Sequence, residues 1–435
     1  MSSTLSWIVH DSRAREQAQQ ILSLFLVKES RDELGLGSIR DSFADQFFPG
    51  TSTIQTRLRY MLFIPWIYRD LENLVAQGRV TPKDFEMKAG EIEKELLGVL
   101  SKAEDNAGAY GKTAGTNLKR LPSSVYWTGL GIWGIRRIRQ LSQAGYYHSI
   151  GEISARHHDR KIQERFSVSG DDDEVDVANS IWHRDLPPRP ASFPKQADFA
   201  LTCIEADFIL ECLGDNCGDS LLYVLADRCR QYCGENGPDF GSAPWEYSGY
   251  ETLSAAHKNL LHHARLFSLV MNGAALSYNF QLAKLREEKG YRSQKKSLSA
   301  DDYNERFAMW INKVKKMEES LNDWNLKELW RLTEGHGYTI SLKTREFVES
   351  WVDLVRTAGR QDRYLDLFSA GKNLELVRKR EMFCKNSYSR FENDKALRQW
   401  GGESGTTPFV YRWPQVTRLL QDLYRGFHAL GSKTC

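Results

Sequence analysis

The residues with the most chemistry to offer in this chain fall short of the patterns that would put them to work. Gly111, Lys112 and Thr113 match only the last three positions of a phosphate-loop pattern. The full pattern G-x-x-x-x-G-K-[ST] needs a glycine at position 106, where this chain has Asn106, so the segment reads as a basic loop. Cys203, Cys212, Cys217, Cys229 and Cys233 share one acidic stretch, separated by eight, four, eleven and three residues. A zinc site wants two close pairs of thiolates, and these spacings do not supply them, so buried reduced thiols are the expectation. His257, His262 and His263 sit on one predicted helix, five and one apart. Two histidines share a helical face when they are four apart, so no H-E-x-x-H site follows. The acid run 171–176 reads as a solvated segment, and Glu86 with Lys88 is only a fragment of a nuclease pattern.

Arginines interleaved with aromatic residues carry more information. After Pro122, Ser123 and Ser124 come Tyr126, Trp127 and Trp133, then Arg136, Arg137 and Arg139. Guanidinium groups contact phosphates, and aromatic rings stack on bases. Arg57 and Arg59 pose the same question, because both lie off the apolar stripe of their predicted helix. Charge is also segregated along the chain. Residues 112–165 hold ten basic residues, Lys119 and Arg120 among them, against three acidic ones, a net of +7. Residues 198–251 hold eleven acids against Arg228 and Arg230, a net of −9. A cationic patch of this kind attracts a polyanion by releasing its counterions.

The elements that must position these residues read as helices. The chain has 435 residues, 41% of them apolar and 27% charged, which excludes disorder and low complexity as a description of the whole. Between Thr53 and Val75, Ile54, Leu58, Met61 and Leu62 keep helical spacing and Ile67, Leu71 and Leu74 continue it, with a kink or break expected near Pro65. Residues 12–30 and 33–48 read as shorter helices, and helical patterns follow again from about residue 198 to the end. Only 337–342 and 408–413 look extended enough for a minor strand pair. The charge-free stretch 266–283 contains Asn272, Ser277, Asn279 and Gln281, so a buried helix with small residues is expected there, not a membrane span. No secretory leader is visible in the first residues, which points to the cytoplasm.

Several phrases resemble a known family: residues 32–72, residues 121–137 (LPSSVYWTGLGIWGIRR), residues 265–283 and residues 411–427. They are similar to an uncharacterised bacterial family of about this length, a domain of unknown function, and the resemblance runs from Asp32 to Phe427. It implies a setting in anti-phage defence islands beside helicases, nucleases and methyltransferases, and it brings no catalytic residues with it.

The sequence thus predicts a mainly α, multi-helix, two-domain protein with at most a minor β-hairpin. The expected layout is an N-terminal helical domain over 1–155, a linker rich in Asp and Pro over 156–195, and a C-terminal helical domain over 196–435. The expected role is that of a non-catalytic accessory subunit in bacterial anti-phage defence, bound to DNA and acting with a helicase or nuclease subunit. Phosphate contacts would come from Arg57, Arg59, Lys119, Arg120, Arg136, Arg137 and Arg139, with no metal or cofactor and no membrane partner. Two alternatives stay open: a scaffold whose acidic region 198–251 docks a basic protein, and a metal-dependent nuclease whose carboxylates converge from distant positions.

Overall fold

A computed structural model describes residues 32–111, 120–153, 181–232, 234, 237–291, 298–369 and 371–428. In chain order its longer helices are α1 (Gly37–Phe47), α2 (Tyr60–Ala76), α3 (Phe85–Leu100), α4 (Pro122–Ile132), α5 (Cys203–Cys217) and α6 (Leu221–Gln231). They continue with α7 (Ala255–Glu288), α8 (Asp302–Lys315), α9 (Leu342–Arg360), α10 (Gly371–Lys385) and α11 (Trp413–Phe427). Among the described residues there is no sheet, and the two isolated bridges are Arg136 with Trp182 and Gly335 with Tyr338. The protein is mainly α, as its periodicity predicts. The minor strand pair does not form. Residues 411 and 412 instead take left-handed backbone, and α11 starts immediately after them.

The chain folds into two compact units, each built from separated stretches: Met1–Phe43 with Ser254–Val410, and Ala44–Leu253 with Tyr411–Cys435. Residue 190, near the end of the expected linker, lies within the second unit. There the carbonyl of Pro187 accepts from Trp66 Nε1 at 2.7 Å, and the ring of Phe193 stacks on Phe63 at 5.5 Å. The prolines of this stretch shape a packed segment, because the aromatic residues between them have a core to enter. Most of the expected linker, residues 156–180, lies outside the described residues.

In the first unit α7 is the spine, and α8, α9 and α10 pack on it. Ser254 caps its start by accepting from the His257 amide. The small residues of its charge-free run make room for tryptophans: a Cβ on Gly273 would come within 2.4 Å of the Trp310 ring. Trp310 and Trp351 donate to the carbonyls of Leu269 and Val270. Among the described residues no helix is long and apolar enough to cross a membrane.

The second unit is organised by α2, against which α3 and α4 pack, while α11 packs on α5 and α6. The turn before α2 departs from expectation. The helix starts at Tyr60, several residues after Thr53, and Ile54 is 43% exposed instead of joining the apolar stripe. α2 also runs through Pro65 without a break. The proline deprives only the Met61 carbonyl of its intrahelical donor, and burial of nearly every α2 side chain up to Leu71 outweighs that loss. Thr202 and Glu205 close a capping box at the start of α5. Cys212, Cys217 and Cys229 are free and buried, whereas Cys203 is disulfide-bonded, which corrects the expectation that all the cysteines are reduced.

Candidate functional site

The second unit contains a cleft of about 1340 Å3, walled by the end of α3 and the loop after it, by residues 190–201, and by α11. Arg57 and Arg59 line its floor. Both are buried, at 4% and 7% exposure, which corrects the expectation that they lie open to solvent as phosphate contacts.

Arg57 is held on every side. Its Nε donates to both oxygens of Asp422 at 3.1 and 2.9 Å, and its Nη2 lies 2.9 Å from Asp422 and from Asp105. Its Nη1 donates to the Ala107 carbonyl at 2.9 Å, and its face lies 4.3 Å from the Phe199 ring centre. Burial works against the charge, but the carboxylates of Asp422 and Asp105 outweigh it and hold the guanidinium above its ordinary pKa. Asp422 also accepts the Leu58 amide at 2.9 Å, so one carboxylate both neutralises the arginine and anchors the chain entering α2.

Arg59 repeats the arrangement two residues on. Its Nη2 donates to Glu205 at 2.9 Å and its Nη1 to Asp198 at 2.7 Å. Glu205 is buried and spends its second oxygen on the Thr202 amide of the capping box. Asp198 is 64% exposed, and so is about half of Asp105. The Nε of Arg59 finds no acceptor. Each floor arginine therefore has one buried carboxylate that fixes it and one exposed carboxylate on its solvent side. At the rim Lys102 and Lys195 are exposed and carry no ion pair among the described residues, and Arg425 reaches to 3.8 Å from Asp105.

The second arginine cluster follows α4. Arg136 is 2% exposed and has no carboxylate beside it, which corrects the expectation that it contacts phosphate from the surface. Its guanidinium lies 4.7 Å over the Trp127 ring and donates to the carbonyls of Ile138, Trp127 and Arg139. Burial without a counter-charge pushes its pKa down to about 10. Backbone oxygens take up both terminal nitrogens of the buried guanidinium, while its Nε has no acceptor among the described residues, and the result is a pinned turn. Arg137 and Arg139 stand on that turn, exposed, and the Arg137 amide donates to the Ile181 carbonyl at 2.7 Å. Arg120, before α4, is also exposed. Lys119 lies outside the described residues. Of the arginines singled out from sequence, three are buried and three are at the surface.

Sequence reasoning missed Asp422, Asp198, Glu205, Lys102 and Lys195. Asp422 is 365 positions from Arg57, and no local pattern announces the pair. The capping box at Thr202 was legible in principle as T-x-x-E, but not that Glu205 would lend its other oxygen to Arg59.

Among the described residues no three His, Cys, Asp or Glu side chains converge as metal ligands. A family model described as a family of unknown function, DUF6361, matches residues 1–426. No curated protein and no solved structure matches the chain.

Proposed function

We propose that this chain, which belongs to the family of unknown function DUF6361, is a nucleic-acid-associated accessory protein that contacts the phosphate backbone through the turn after α4. The observation that carries the reading is the rigid presentation of Arg137 and Arg139. Arg136 ties the turn to three backbone carbonyls, so the two exposed arginines are offered without the entropy cost of ordering a loose loop. Arg120 extends the cationic surface at the other end of α4. The defence setting implied by the sequence resemblance makes DNA and a helicase or nuclease subunit the natural partners.

The test is binding of labelled duplex and single-stranded DNA by anisotropy across a salt series. Reversing Arg137 and Arg139 to glutamate should weaken binding to all sequences alike. It should also flatten the plot of log affinity against log salt by about two units, one for each phosphate that is no longer neutralised. An unchanged affinity and slope would remove the reading.

A further inference from the structure

We propose that the cleft floored by Arg57 and Arg59 binds a small multiply charged phosphate-bearing anion, such as a diphosphate or a nucleoside diphosphate, which takes the places now held by Asp105 and Asp198. This site is distinct from the turn after α4 and does not rest on it.

The two ion-paired arginines are held asymmetrically. Asp422 and Glu205 are buried and hydrogen-bonded to backbone amides as well as to guanidinium groups, so they fix the floor permanently. Asp105 and Asp198 meet the same arginines from the solvent side and are half or more exposed. Each of these pairs joins a buried guanidinium to a carboxylate that is half or more exposed, so the carboxylate can turn out to water when a ligand anion takes over its place beside the arginine. Displacing the two exposed carboxylates would leave one nitrogen on each guanidinium, Nη2 of Arg57 and Nη1 of Arg59, able to donate to a phosphate oxygen, while Asp422, the Ala107 carbonyl and Glu205 keep the rest. The Nε of Arg59 is buried and has no acceptor among the described residues.

Size and charge choose the ligand class. Lys102, Lys195 and Arg425 surround the opening, so five cationic groups line the cleft. A single carboxylate could not engage them all, whereas two linked phosphates carry enough oxygens and enough charge. Three acids remain: Asp422 stays paired with Arg57, and Glu95 and Glu104 lie on the α3 side, which leaves the opposite wall to Lys195. The volume exceeds what a diphosphate alone fills, and the lining includes Phe193 and Phe199, so there is room and apolar wall for a larger group attached to it.

The experiment is isothermal titration of the full chain with inorganic pyrophosphate and, separately, with ADP. The Lys102→Glu and Lys195→Glu variants, both at exposed positions, should each weaken binding about fivefold or more, through weaker attraction and added repulsion. Asp198→Asn should tighten it about two- to fivefold, because the internal competitor is gone. This gain of affinity is a readout that a merely damaged fold would not give. A short thymidine oligonucleotide added as competitor separates the sources: displacement of ADP assigns the site to nucleic-acid phosphate, and no displacement assigns it to a free small molecule. Absence of binding at millimolar pyrophosphate and ADP in both the native chain and Asp198→Asn overturns the proposal. So does binding that ignores the Lys102 and Lys195 changes. Reversal of Arg137 and Arg139 should leave pyrophosphate binding intact, so the two sites fail or stand separately.

Discussion

The two ends of α2 handle buried charge in opposite ways. At its start, Arg57 and Arg59 are sunk into the protein with a buried carboxylate each, Asp422 and Glu205. Toward its end, Glu72 enters an aromatic cluster of Tyr68, Phe85, Trp127, Tyr146 and Trp182, with no cation in ion-pair contact among the described residues. It accepts from Tyr146 and, at 3.0 Å, from Trp182, while its second oxygen has no partner. Glu93 on α3 is in the same position: one oxygen accepts the Ser123 amide at 2.9 Å and the other is orphaned. Burial pushes both carboxyls up to about 7. The comparison teaches that burial by itself does not set the charge state. Burial raises the Asp422 carboxyl above its ordinary value even against the pull of Arg57, and where no such contact opposes burial Glu72 and Glu93 are pushed up to about 7, so the counter-charge decides how far burial goes.

The sharpest way to break the paired end is Asp422→Ala. It leaves Arg57 largely buried with only the exposed Asp105 as a counter-charge, and it removes the acceptor of the Leu58 amide. A loss of about 3–5 kcal/mol in urea unfolding at neutral pH is expected. A loss below about 1 kcal/mol, the scale of an exposed pair, would mean that the floor arginine is not truly desolvated.

The unpaired end makes a prediction about pH. Glu72 and Glu93 have folded pKa values of about 7, raised above an ordinary value of 4.5, so the folded state holds protons that the unfolded state releases. Their contribution to stability is complete below about pH 4.5 and is lost as pH rises through about 7, by up to about 3 kcal/mol for each group. The double variant Glu72→Gln, Glu93→Gln should remove this dependence. Its stability relative to the native chain should therefore rise between about pH 5 and about pH 8, as followed by thermal melts at several pH values. Parallel curves would show that the carboxyls are ionised and solvated after all.

A smaller effect refines the same point. Tyr146→Phe deletes a hydrogen bond that favours the charged form of Glu72. The midpoint of the pH dependence should move upward, with a stability change of about 1 kcal/mol at neutral pH. A downward shift would mean that Tyr146 acts as an acceptor for a protonated carboxyl.

Much of the fold was legible in the sequence. The helical period of α2, Pro122 at the first position of α4, and the small residues of α7 are each local signals whose meaning does not depend on distant chain. The compact units were harder to read. A proline-rich segment looks like a linker until Phe63 and Trp66 provide the surface that Phe193 packs against. The arginine candidates show the same limit more clearly. Arg57, Arg59, Arg136, Arg137 and Arg139 look alike as residue types beside aromatic residues, yet three are buried and two are exposed.

The sequence by itself determined that this chain is helical and that its largest local excess of positive charge falls over residues 112–165, because propensity and charge are properties of neighbouring residues. Only the tertiary structure decided which arginines are buried, which carboxylates neutralise them, and which carboxyls have no counter-charge. Those outcomes depend on groups as far apart as Arg57 and Asp422, which meet only when α11 returns to the unit that α2 organises.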